Sequence, residues 1–125
     1  MSLVGLGTDL VEVERFRRAM GRRARLTERL FSDAERAYAA RQRDPAKPLA
    51  ARFAAKEAVM KALGVGLGSF ELRDVEVMRA DDEAPPTLLL RGRAADLARE
   101  RGVTGWMLSL THTDATAMAV VIATG

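Results

Sequence analysis

Apolar and polar positions change period several times along this chain, and each change marks an expected element. The opening segment MSLVGLGTDL sets Val4, Leu6 and Thr8 in alternation with Gly5 and Gly7. That is the two-residue period of a strand, and glycines inside a strand let another backbone come close. Asp9 ends the run. From about Glu12 to Arg23, Val13, Phe16 and Met20 fall three and four residues apart, which predicts a short helix. Thr27 and Ser32 are candidate N-caps. Ser32 precedes Glu35 at capping-box spacing, so a helix is expected from about Asp33 to Gln42. Arg43 to Pro48 reads as a polar loop punctuated by Pro45 and Pro48.

The longest helical stretch is LAARFAAKEAVMKALG, Leu49 to Gly64. Its alanines favour a helix and permit close packing, and Gly64 suits the left-handed residue that ends one. We expect it to be the central helix. Glu71 to Arg79 alternates as a strand, Asp81 to Pro86 is a turn, and Thr87 to Arg91 is a second strand of a hairpin. Ala94 to Arg101 is a short helix ended by Gly102. Trp106 to Leu110 and Ala115 to Ala123 read as two last strands around a polar turn. The order β-α-α-α-β-β-α-β-β implies an α+β fold with a mainly antiparallel sheet packed around the long central helix. Residues 1–125 are read as a single domain, a size that suits 125 residues.

Composition narrows the chemistry. The chain has no cysteine, so disulfides, thiol nucleophiles and thiolate metal sites are excluded. There is no signal-like segment and no apolar run of membrane-spanning length, and a cytoplasmic protein with no membrane partner is expected. The net charge is +3, and the only lysines are Lys47, Lys56 and Lys61. Such an excess fits an anionic partner of some kind. Aromatic residues make up 5% of the chain, which argues against base stacking and against a nucleic-acid partner. His112 is the only histidine, and phosphate-loop, dinucleotide-binding and nucleophile-elbow motifs are missing. Chemistry would therefore rest on carboxylates and basic residues, with or without a metal ion.

Four segments could carry it. Asp9, at a strand end beside glycines, either caps the following helix or holds a hard cation such as Mg²⁺. Phe53, Glu57 and Lys61 are spaced by four and share a helix face, with Arg52 and Lys56 on the neighbouring stripe. They form either an exposed ion-paired surface or a buried site whose charges need ligands. Gly64, Gly66 and Gly68 are either a helix stop with its loop or a backbone that can approach phosphates. In the run Ser109 to Asp114, alternation puts Ser109 and Thr111 on one face, and His112, at the strand end, is either solvated or functional.

Together the segments GLGTDLVEVERF, LAARFAAKEAVMKALGVGLG and SLTHTDATAMAVVI closely resemble the small holo-[acyl-carrier-protein] synthases of the 4'-phosphopantetheinyl transferase superfamily. The resemblance covers both ends and the middle, in order. It implies a Mg²⁺-dependent enzyme that moves the phosphopantetheine arm of coenzyme A to a serine of apo acyl carrier protein, releasing adenosine 3',5'-bisphosphate, in support of fatty acid or polyketide synthesis. It implies a homotrimer with active sites between subunits. By this likeness Asp9 and Glu57 hold the metal, and Glu57, Lys61 and His112 are catalytic. Arg52, Lys56, Lys61, Gly64, Gly66, Gly68, Pro86, Ser109, Thr111 and His112 contact coenzyme A. Arg15, Arg18, Arg22 and Arg25 receive the acidic carrier. Two departures stand out. Val65 replaces a hydroxyl residue common in relatives, and Ala84-Pro85-Pro86 stands where relatives often carry glycine, a basic residue and proline.

Overall fold

The structure is a computed structural model that describes residues 1–23 and 25–125. Along the chain run β1 (Leu3–Glu12), α1 (Val13–Arg22), α2 (Leu26–Leu30), α3 (Asp33–Ala40), α4 (Ala46–Leu63), a 3-10 turn (Leu72–Asp74), β2 (Val75–Met78), β3 (Thr87–Leu90), α5 (Gly92–Glu100), β4 (Gly105–His112) and β5 (Thr116–Thr124). The strands form a three-stranded sheet ordered β1-β5-β4 and a separate β2-β3 hairpin, and all pairings are antiparallel. The α+β class, the antiparallel pairing and the central helix are as the sequence predicts.

Helix α4 lies against one face of the sheet, where Ala117, Ala119, Val121 and Ala123 of β5 are fully buried. Its own Ala54, Ala55, Ala58 and Val59 are equally enclosed. The approach is close because β1 presents bare backbone. A Cβ on Gly5 would lie 1.9 Å from the Ala62 carbonyl oxygen, and one on Gly7 1.8 Å from that of Ala58. Two strand residues advance about 6.8 Å and one helical turn about 5.4 Å, so β1 and α4 stay nearly in step. Asp9, the next residue on that face of β1, therefore arrives one turn further toward the start of α4, level with the turn that carries Glu57.

The opposite face of the sheet is different. Leu6 and Leu10 of β1 and Met107 of β4 are exposed there. The strand register sets them beside Ile122 and Met118 of β5, with Val120 between Thr8 and Ser109. Among the described residues nothing covers this apolar face.

Several boundaries differ from the sequence expectation. The capping box forms, with Ser32 accepting from the Glu35 backbone and Glu35 accepting from the Ser32 backbone. Thr27, by contrast, lies inside α2 and caps nothing, because that helix starts at Leu26. Helix α4 begins at Ala46, so Pro48 sits in its first turn, where a missing N–H costs no helical hydrogen bond. The strand expected from Glu71 is shortened by the 3-10 turn and begins at Val75.

Candidate active site

A cleft of about 580 Å³ opens beside the β1–α4 contact, lined by Asp9, Glu12, Arg15 and Glu57 and by an apolar wall that includes Phe16, Met20, Leu30, Phe53 and Leu67. Asp9 and Glu57 meet here because the glycine face of β1 draws the strand onto the helix. Burial, and then the charge of Asp9, raise the Glu57 carboxyl above the usual glutamate range, while Lys61 pulls the other way. Lys61 donates to the Thr8 carbonyl at 2.9 Å and to Asp9 Oδ1 at 3.2 Å. The site thus holds two mutually repelling carboxylates and one ammonium.

Such a pair offers oxygen donors to a hard cation and would be relieved by one. Among the described residues no group of three or more carboxylates or histidines gathers that could hold a metal. A cation at Asp9 and Glu57 would therefore draw its remaining ligands from water and a phosphorylated substrate, an arrangement common for Mg²⁺. The donor set fits the ion that the sequence resemblance implies. At the C-terminus of α4, Gly64 takes a left-handed conformation with φ 69° and Gly68 one with φ 88°, which favour glycine. The turn they shape, which also contains Gly66, brings Leu67 to the cleft.

Of the proposed carrier-binding arginines, Arg15, Arg18 and Arg22 are exposed, and their spacing puts them along one side of α1. Arg15 reaches the cleft, and Arg25 is exposed just beyond the helix.

Other expected residues lie apart from this cleft. Arg52 and His112 line a second pocket, with Tyr38, Arg43, Lys47 and Arg79. Ser109 and Thr111 are exposed and sit on the uncovered sheet face, whereas Asp9 belongs to the face that meets α4. Within one chain these two sets do not converge. Pro86 is half-buried in the turn leading to β3.

Lys56 requires a correction as a phosphate contact. It is fully buried; its ammonium donates to Glu35 Oε1 at 2.8 Å, to the Leu72 carbonyl at 3.1 Å and to the Val75 carbonyl. All three N–H groups are taken, and none is left for a ligand. Glu35 also accepts from the backbone N–H groups of Ser32 and Val77. Burial lowers the lysine pKa and Glu35 opposes that shift. The pair ties α3, α4 and β2 together. Sequence reasoning identified Glu35 only as a cap and missed this second role; it also missed Tyr38 and Arg79, which no local motif marks.

Comparison with known proteins agrees with this picture. A family model described as the 4'-phosphopantetheinyl transferase superfamily matches residues 5–120. The chain is similar to a holo-[acyl-carrier-protein] synthase of Moorella thermoacetica, 47% identical over 116 residues, covering 93% of this chain and 90% of the relative. Its fold is similar to the crystal structure of holo-[acyl-carrier-protein] synthase from Neisseria meningitidis, with a TM-score of 0.88 and 28% identity over 99% of this chain and 100% of the other. It is also similar to the Bacillus anthracis holo-(acyl-carrier-protein) synthase crystallised with coenzyme A (3',5'-ADP), with a TM-score of 0.78 and 31% identity over 97% and 96% of the two chains.

Proposed function

Because this chain belongs to the 4'-phosphopantetheinyl transferase superfamily, as one of its holo-[acyl-carrier-protein] synthases, we propose that the β1–α4 cleft is where a carrier serine attacks coenzyme A. The enzyme moves phosphopantetheine from coenzyme A to acyl carrier protein. In our reading Asp9 and Glu57 hold Mg²⁺, and adenosine 3',5'-bisphosphate leaves. The observation that carries this is the convergence of Asp9 and Glu57 on one cleft with Lys61 beside them.

The serine Oγ of the carrier forms a bond to the β-phosphorus of coenzyme A. The bond from that phosphorus to the oxygen bridging to the α-phosphate breaks, and the electron pair departs with the bisphosphate. When bound, the cation would neutralise diphosphate charge and help align the reaction. Glu57, or a water held by it and the cation, would accept the serine proton. Lys61 supplies a mobile positive charge to the transferring phosphoryl group or the leaving oxygen. The backbone turn from Gly64 to Gly68 borders the same space. The exposed Arg15, Arg18, Arg22 and Arg25 would attract and orient an acidic carrier so that its serine enters beside Arg15.

Copies of this chain, three by the family likeness, would cover the apolar face formed by Leu6, Leu10, Met107, Met118, Val120 and Ile122. Assembly through that face would carry Ser109, Thr111 and the second pocket, with Arg52 and His112, toward a neighbour's Asp9 and Glu57. The separation of the two sets within one chain supports a site shared between copies. The reaction and its substrates fit a cytoplasmic enzyme supplying holo carrier for fatty acid or polyketide synthesis.

The test is mass spectrometry of apo acyl carrier protein incubated with the protein, coenzyme A and Mg²⁺. A phosphopantetheine adduct that disappears when Mg²⁺ is chelated is expected. No adduct on any apo carrier offered would leave a binding protein for acidic partners as the better reading.

A further inference from the structure

The second pocket is basic, with Arg43, Lys47, Arg52, Arg79 and His112 along its lining, yet it also contains an acid that opposes any anion entering it. Among the described residues Asp44 is the one carboxylate on its wall. That position suits a carboxylate for a local reason. Asp44 stands just ahead of α4, and its Oδ1 accepts from the Ala46 N–H at 3.3 Å. A negative charge there is favoured by the positive end of the helix dipole. The same charge is unfavourable for a pocket offered to a polyanion.

Arg17 answers it from another element. It belongs to α1, and its two terminal nitrogens donate to the two Asp44 oxygens at 2.6 and 2.8 Å. This is the paired, fork-like geometry in which guanidinium and carboxylate match best. The hydrogen bond from Arg17 holds the Asp44 carboxyl below the usual carboxylate range, so the acid stays ionised and needs its partner. Among the described residues, Arg15, Arg18 and Arg22 of the same helix have no carboxylate in salt-bridge range. Arg17 is instead engaged by Asp44 and, at 3.2 Å, by Glu14.

We propose that Arg17 is a positioning residue for coenzyme A, acting through Asp44: it masks that carboxylate so that the second pocket presents only positive charge to the ligand. The arginine-rich helix then has two duties. Arg15, Arg18 and Arg22 are offered to the acidic carrier, and Arg17 serves the other substrate. The inference rests on the proposed transfer reaction, in which this pocket is carried toward the site of a neighbouring copy. Without Arg17, Asp44 keeps its bond to Ala46 and its charge, and repels the incoming polyanion.

Three variants separate masking from mere tethering of α1 to α4. Arg17→Gln removes the cation and keeps an N–H donor for Asp44. Asp44→Asn removes the anion and keeps an acceptor for the Ala46 N–H. The third protein carries both changes. In isothermal titration of coenzyme A into the full chain, Arg17→Gln binds about tenfold more weakly than the parent, and the gap closes as salt is raised. Asp44→Asn binds at least as tightly as the parent, and the double variant returns to within about twofold of it. A tether behaves otherwise: both single substitutions weaken binding alike, and the double variant does not recover. In turnover, Arg17→Gln raises KM for coenzyme A, with kcat and KM for the carrier held. Equal loss in the two single variants, no recovery in the double one, or a rise in KM for the carrier in place of coenzyme A would overturn the assignment. The titration needs no carrier. Coenzyme A that binds the parent while no carrier is modified counts against the transfer reading alone. Unaltered affinity in Arg17→Gln counts against this inference alone, and coenzyme A that does not bind the parent overturns both.

Discussion

Lys56 and Glu57 are neighbours on one helix and face opposite electrostatic situations. Lys56 is enclosed, and each of its N–H groups meets an acceptor from α3, the 3-10 turn or β2. Glu57 is half-buried beside another carboxylate that raises its proton affinity. A charge matched within the chain holds the fold together; a charge opposed within the chain is suited to a ligand from outside. The same distinction separates Asp44, locked by Arg17, from Arg52, whose buried Nε has no hydrogen-bond partner among the described residues.

Substitutions should expose this contrast. The largest effect on stability is expected for Lys56→Met, which strands Glu35 in the interior. Removing one partner of a buried pair costs about 3–5 kcal/mol, so urea unfolding should shift strongly, and adding Glu35→Gln, which removes the stranded charge and keeps an acceptor for the Ser32 and Val77 N–H groups, should recover part of the loss. A Lys56→Met protein as stable as the parent would show that the buried pair is not structural. Glu57→Gln should do the reverse. Transfer falls about a thousandfold or more, ~4 kcal/mol of barrier, while the fold is kept or slightly strengthened. The sign follows from the raised folded pKa. Between the ordinary glutamate value and the raised one the folded state binds more protons than the unfolded state, so stability falls as pH rises across that window. Urea midpoints measured across it should fall in the parent and stay flat in the Glu57→Gln protein.

Gly7→Ala tests how the two carboxylates are brought together. Its Cβ would overlap the Ala58 carbonyl, and β1 must move away from α4. Overpacking of this kind costs about 1–3 kcal/mol, and here transfer activity should fall further than the loss of folded protein explains, because Asp9 moves with the strand. Activity that simply tracks the folded fraction would break the link between the glycine face and the site. The smallest effect is expected for Arg18→Glu with Arg22→Glu. KM for the carrier rises and its salt dependence flattens, while KM for coenzyme A is unchanged.

Much of this arrangement was legible in the sequence because it is local. The alternation around Gly5 and Gly7, the alanine density of α4 and the Ser32–Glu35 spacing each report on nearby backbone. Asp9 and Glu57 were legible only as candidates, since the bringing together of β1 and α4 is a tertiary event, and family likeness supplied the link. Lys56 misled for the same reason. Its place beside Arg52 on a helix stripe says nothing of Glu35, Leu72 and Val75, which arrive from three other segments. Pro48 and the strand start at Glu71 misled locally, because a first helical turn tolerates proline and a 3-10 turn also carries apolar residues among charges. The roles of Tyr38 and Arg79 depend on where the β2–β3 hairpin folds back, and no periodicity records that.

The central claim, that Glu57 awaits a cation shared with Asp9, is tested most directly by calorimetric titration of Mg²⁺ into the protein with adenosine 3',5'-bisphosphate present, repeated over a range of pH. The account predicts that affinity in the parent weakens as pH falls through the raised Glu57 pKa, with proton release on binding in that range, and that Glu57→Gln binds Mg²⁺ weakly and without that pH dependence. Equal Mg²⁺ affinity in the two proteins, or affinity unaffected by pH in the parent, would contradict it.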